Sequence, residues 1–327
     1  MKKAILFSAV LLLAVAIPVA HAANGKVSGY MFGDYYYVAA ADDAATLSEK
    51  QNAFQLRRVY FTYDQEIDEG ISTRLRFEAK DAGFGSVSKM EPFVKNAYMK
   101  WGKAVGGADV YLGLSGTPTW AQSEKAWGYR AIEKTVLDLN GIGSSADLGV
   151  ALKGKAGKLA YTAMVGNGPG QSSENDNGKK LYGSLIFAAS KALTLEGYAD
   201  FNMLPGEQDQ MTLKVFAGYQ GEGLRAGVEV FSRINKAAGV ANKQAGDDVT
   251  ISGVSLYATL PLGESLKGFG RLDAVSNDDK DTTEMLIIAG LDHSPAKNVY
   301  LMPNIYVQLF DGPDPSIQGR LTFKYNF

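Results

Sequence analysis

The stretch that decides the fold is IQGRLTFKYNF, residues 317–327. Its odd positions hold Ile317, Gly319, Leu321, Phe323, Tyr325 and Phe327; its even positions hold Gln318, Arg320, Thr322, Lys324 and Asn326. Strand side chains point alternately to opposite faces, so one face is apolar and aromatic and the other polar and charged. At ~3.3 Å per residue and a tilt near 45°, a strand of about 11 residues crosses the hydrocarbon core of a bilayer. A strand of a soluble sandwich alternates too. It rarely closes a chain on its most aromatic stretch with no polar tail, and the expectation here is a membrane strand.

The same alternation recurs upstream. In 71–80, Ile71, Thr73, Leu75, Phe77 and Ala79 share a face, and Ser72, Arg74, Arg76, Glu78 and Lys80 share the other. Further strands are predicted at 26–38, 54–64, 93–101, 109–114, 146–153, 158–166, 181–189, 193–202, 211–219, 224–233, 249–260, 267–276, 284–292 and 299–310, sixteen with the two already named. The alternation in 93–101 is too poor to assign its faces. Connections run alternately long and polar, then short and glycine-rich, as an up-and-down transmembrane barrel requires. The fold class is therefore all-β: an antiparallel up-and-down transmembrane β-barrel of about 16 strands, with an aqueous lumen.

Composition agrees with this class and removes others. Gly (37) and Tyr (17) are abundant and Pro (10) is scarce, which suits strands, tight turns and aromatic girdles. Beyond the first residues no run reaches ~18 apolar residues, so no transmembrane helix is expected. There is no Cys, hence no disulfide or thiolate site. Lys2 and Lys3, the apolar run 4–20 and the small-x-small sequence Ala20-His21-Ala22 read as a cleaved secretory leader over 1–22. One domain is then expected over 23–327, in the bacterial outer membrane. Past the leader only His293 remains, too few histidines for a zinc site or a His-based catalytic centre. No cofactor, metal or nucleic acid is implied. The acidic runs at 277–281 and 311–314 do not have EF-hand spacing.

The segment 115–144 is the third long connection and too long for a simple hairpin, so it is expected to be functional. Residues 131–139 are predicted to form a short helix, with Trp120, Trp127 and Ile132 packed against the wall. Glu124, Lys125, Arg130, Glu133, Lys134 and Asp138 are expected to face solvent. If Val59, Phe61 and Tyr63 face lipid, Arg58, Tyr60 and Thr62 face the lumen, joined by Arg74, Arg76 and Lys80. Elsewhere the inward face carries Lys214, Arg225, Arg233, Arg271, Arg320 and Lys324 against Glu196, Asp200, Glu229 and Asp273. The lumen comes out slightly basic although the chain has 33 basic and 35 acidic residues. Fixed charge across a narrow pore tunes ion selectivity, and a weak anion preference follows.

The stretches 113–118, 127–135 and 145–150, together with the closing strand, resemble the general bacterial outer-membrane porins. They are nearest the branch of the phosphate-selective porins O and P, and the likeness is strongest over 54–170. The resemblance implies a third external loop that folds into the lumen and narrows it, a homotrimer, and passive diffusion of small hydrophilic solutes. It also implies contact with lipid and lipopolysaccharide. The selectivity residues are then Arg58, Arg74, Arg76, Lys80, Glu124, Arg130, Glu133 and Asp138. Two other readings stay open: a non-conducting structural or adhesive barrel, and a barrel hydrolase, for which His293 is the sole available histidine base.

Overall fold

The computed structural model describes residues 25–81, 83, 88–238, 243–244, 246–312 and 314–327; the predicted leader, 1–22, lies outside the described residues. The first half of the sheet is β1 (Lys26–Ala40), β2 (Asn52–Asp68), β3 (Ile71–Lys80), β4 (Glu91–Val105), β5 (Ala108–Gly116), β6 (Ala146–Ala156), β7 (Leu159–Gly166) and β8 (Lys180–Ala188). The second half is β9 (Leu193–Asn202), β10 (Gln210–Gln220), β11 (Arg225–Asn235), β12 (Val249–Pro261), β13 (Leu266–Asn277), β14 (Thr282–Ala296), β15 (Val299–Leu309) and β16 (Ser316–Asn326). Two short helices, α1 (Ala121–Trp127) and α2 (Val136–Leu139), lie between β5 and β6.

These sixteen strands form one closed barrel in which each pairs with its neighbours in sequence and β1 pairs antiparallel with β16. At the seam, Gly29 and Phe327 exchange backbone hydrogen bonds, each 2.9 Å. Closure satisfies the backbone of every strand and leaves no open edge. The closing strand keeps the alternation read from its sequence: Thr322 is fully buried, whereas Leu321 and Tyr325 are exposed.

The outer face is apolar throughout. Phe54, Leu185, Val215, Val230, Ile305 and Leu321 all point outward and are exposed. So large a continuous apolar surface is stable only against lipid. Among the described residues no helix is long and apolar enough to cross a membrane.

The sequence predicts strand positions well and strand ends less well. Residues 66–68 and 102–105 look like turns but continue β2 and β4. The turns themselves shrink to two residues because glycine supplies the positive φ they need: +73° at Gly70, +55° at Gly106 and +83° at Gly107.

Two irregularities shape the interior. Between β1 and β2 the register slips where Phe32 faces Arg58 but Gly33 faces Leu56, leaving Arg57 as an extra residue. Between β3 and β4 it slips where Arg76 faces Asn96 but Phe77 faces Val94, leaving Lys95 extra. A β-bulge puts two successive side chains on one face. Arg57 and Arg58 thus both point inward, as do Lys95 and Asn96. The second bulge is the reason the alternation in β4 looked poor.

Candidate constriction site

The connection between β5 and β6 lies against the inner wall of the barrel. It starts at the rim that carries the long connections, descends to Gly128 near the opposite rim, and climbs back. The single helix predicted over 131–139 is not what forms: α1 covers Ala121–Trp127 on the descent and α2 covers Val136–Leu139 on the return. In α1, Ser123 and Trp127 are four residues apart and share the buried face. The helix stops at Gly128, whose φ of +74° suits glycine and whose N–H donates to the Glu124 carbonyl at 2.9 Å.

Side chains fix this hairpin to the far wall, β10 to β16. The Ser123 hydroxyl donates to Glu229 Oε1 at 2.9 Å, and the Tyr129 hydroxyl to Asp292 Oδ2 at 3.2 Å. Arg271 donates to the Lys134 carbonyl. Trp127 packs with Tyr129, Phe216, Tyr257 and Phe269 in a buried apolar cluster that also takes Ile132. Trp120, Val136, Leu137 and Ile142 form a second cluster with Phe231. The expected burial of Trp120, Trp127 and Ile132 holds, with exposures of 5%, 1% and 1%.

Three basic side chains of β8, β10 and β13 do not stand free. Lys214 meets Glu196 at 2.8 Å and Glu229 at 3.7 Å, and Lys180 meets Asp200 at 3.2 Å. Arg271 Nε donates to Asp273 at 2.9 Å. Each of these three cations has its carboxylate on the same or a neighbouring strand, which offsets its charge.

The near wall differs. Between β1–β6 and the hairpin lies a cavity of about 340 Å³, lined among others by Arg58, Arg74, Arg76, Lys95, Arg130 and Lys153, with Glu124 and Asp138 its only carboxylates. Tyr30, Tyr60, Tyr98 and Tyr111 complete the lining. Glu78, only 1% exposed, pairs with Arg58 and holds Lys95 Nζ at 2.8 Å. Asp64 takes Nε and Nη2 of Arg74 at 2.6 and 2.9 Å. From the hairpin, Arg130 reaches Glu124 at 3.2 Å and Asp138 at 3.4 Å.

Two of the six cations that line this cavity keep no acidic partner among the described residues. Arg76 Nε donates to the Thr62 hydroxyl at 2.8 Å, which leaves its terminal nitrogens to the cavity. Lys153 Nζ donates to the Gly116 carbonyl at 2.9 Å and sits 4.7 Å from the Tyr111 ring centre.

Six of the eight residues predicted to form the site, Arg58, Arg74, Arg76, Glu124, Arg130 and Asp138, line this one cavity. Two do not. Lys80 is exposed at the end of β3, where the strand reaches the long-connection rim. Glu133 does not face solvent as expected: it turns to the other side of the hairpin, 3.9 Å from Arg320, with a side-chain exposure of 13%. Burial opposes ionisation of Glu133, but Arg320 and Arg57 outweigh it and hold its carboxyl below the usual range. Glu124 goes the other way: burial pushes its carboxyl up, and Arg130 offsets this only in part.

Sequence reasoning missed Arg57, Lys95 and Lys153. Arg57 bridges Asp34 at 3.1 Å to the Ile132 carbonyl at 3.2 Å, and so ties the hairpin to β1 and β2. A signal was present. In FQLRRVYFTY the outward residues are Phe54 and Leu56, then Val59, Phe61 and Tyr63; the parity switch marks the bulge. Val94 followed by Ala97, Met99 and Trp101 marks the other. His293 is exposed on β14, paired across the sheet with Leu266 and Leu301.

No protein-family model matches the chain, and no curated protein matches it by sequence. Solved structures do match. An anion-selective porin from Comamonas acidovorans aligns with a TM-score of 0.67 at 13% identity, over 93% of this chain and 99% of its own. The outer membrane channel DcaP of Acinetobacter baumannii aligns with a TM-score of 0.67 at 12% identity, over 93% and 97%. The trimer form of OmpT, an outer membrane protein of Vibrio cholerae, aligns with a TM-score of 0.62 at 11% identity, over 93% and 100%. The chain has the fold of the bacterial outer-membrane porins.

Proposed function

We propose that this chain is an outer-membrane porin that passes small hydrophilic solutes and ions by diffusion and favours anions. The observation that carries the reading is the cavity between the β1–β6 wall and the hairpin, lined by six cations of which Arg76 and Lys153 keep no acidic partner among the described residues. The hairpin acts as the third external loop and confines the path to this side of the lumen. Arg58, Arg74, Arg76 and Lys95 line the wall; Glu124, Arg130 and Asp138 face them from the loop. Their charges act across a narrow aqueous gap between low-dielectric walls, where a fixed charge weighs more than in bulk water. Lys80 and Glu133 serve the rim and the loop anchor instead. No bond is made or broken, and no cofactor takes part.

The fold likeness to an anion-selective porin and to an outer membrane channel supports this reading. On this reading the leader over 1–22 is removed on export and 23–327 forms the barrel; the likeness to a porin in trimer form supports assembly of three copies. Long connections then face outward from the cell and both termini face the periplasm.

One observation favours a second reading, a barrel that inserts but does not conduct: thirteen buried side chains form an apolar cluster around Trp127 that joins the hairpin to the inner wall. Swelling of proteoliposomes in iso-osmotic sugar separates the two. A diffusion pore swells the vesicles with a pentose faster than with a trisaccharide. A barrel that is folded yet gives no swelling with either sugar leaves the structural reading in place.

A further inference from the structure

Helix α1 stands between two cavities. At about 100° per residue its side chains divide into three faces. Ser123 and Trp127 point to the wall and are buried. Ala121 and Glu124 line the constriction. Gln122, Lys125 and Ala126 line a second cavity of about 650 Å³ at the short-turn rim, with Lys191, Gln220, Glu222 and Arg225 across from them.

The charge of this second cavity is unlike that of the wall above it. Lys180, Lys214 and Arg271 each have a carboxylate partner. Lys125, Lys191 and Arg225 line one cavity and none has such a partner within 4 Å among the described residues. Arg225 Nη1 lies against Gly128, 2.5 Å from where a Cβ on that residue would begin, so the guanidinium reaches the end of α1. Two ammonium groups and a guanidinium facing one space repel one another unless an anion lies between them. The guanidinium offers a carboxylate two parallel donors, and the Gln122 and Gln220 amides supply neutral ones. The space exceeds what a single tetrahedral oxyanion fills.

We infer that this vestibule is a second anion site, separate from the constriction, which takes a small organic tricarboxylate. Each cation meets one carboxylate, and the single acid, Glu222, lies at the edge on an exposed turn. Because the site opens at the short-turn rim, it fills from that side without passage through the constriction.

Calorimetric titration of propane-1,2,3-tricarboxylate into the detergent-solubilised full chain tests this without any need for conduction. The expected result is one saturable site per chain, with acetate binding at least tenfold more weakly. The double variant Lys125→Gln and Lys191→Gln weakens the tricarboxylate tenfold or more, Arg225→Gln does likewise, and Arg76→Gln changes it by less than twofold. Both lysines are exposed, so the double variant keeps the barrel, as its heat-modifiable mobility on a gel verifies. Absence of saturable binding overturns the inference. So does equal weakening in Arg76→Gln and the lysine variant, or loss in Arg76→Gln alone, since the anion then sits in the constriction.

Discussion

Arg76 is the most exposed test of the proposed selectivity, because no described carboxylate offsets it and its terminal nitrogens open to the cavity. A unit charge about 6 Å from a permeating ion in water-like surroundings is worth ~0.7 kcal/mol, about threefold in permeability. The charge attracts the anion and repels the cation by this same factor, so Arg76→Gln is expected to lower the anion-to-cation permeability ratio about tenfold, read from the zero-current potential in a KCl gradient. Arg74→Gln is expected to do less, since Asp64 already accepts two of its hydrogen bonds. Equal effects would mean that the ion pairs do not set the field. Glu124 gives the pH dependence. Its raised carboxyl takes up a proton as pH falls, at a higher pH than an ordinary glutamate does. The lumen then gains one unit of positive charge. Anion preference should rise from pH 7.5 to pH 4.5, by up to about tenfold at full protonation. Glu124→Gln should show the acid value at both pH values, and a pH step that survives in the variant would assign it elsewhere.

The hairpin between β5 and β6 is held by packing more than by charge. Truncation of a buried aromatic side chain costs ~3–5 kcal/mol. Trp127→Ala should leave the barrel folded, judged by unchanged heat-modifiable mobility, yet loosen the hairpin from the far wall. Open-channel current noise should rise severalfold and protease should cut between α1 and α2. A quiet, uncut variant would mean that Arg57 and Arg271 hold the segment without the ring. How far such elements are legible from sequence depends on whether the cause is local. Strand β16 is, because its alternation is unbroken from Ile317 to Phe327. The inward set on β3 is, for the same reason. Arg57 and Lys95 were not, because a bulge reverses parity and the reversal shows only when both flanks are read together. The position of α1 was missed because its helix is decided by Trp127 meeting Tyr257 and Phe269, contacts distant in sequence. Gly128, one residue past the helix end, was the local hint. Glu133 was placed in solvent because nothing near it in sequence announces Arg320.

Across the whole barrel, the two walls divide the work. The β10–β16 wall pairs Lys214 and Arg271 with carboxylates and receives the hairpin; the β1–β6 wall leaves Arg76 and Lys153 without an acidic partner among the described residues, beside the remaining space. On the proposed function, ions take one eccentric path per chain, beside the β1–β6 wall. The most direct measurement is single-channel recording in a planar bilayer under a KCl gradient, with the zero-current potential read at neutral pH. Stepwise conductance that closes in three parts is expected, with a potential whose sign reports chloride as the more permeant ion. A folded barrel that yields no steps would contradict the pore, and a potential of the opposite sign would contradict the dominance of the basic wall.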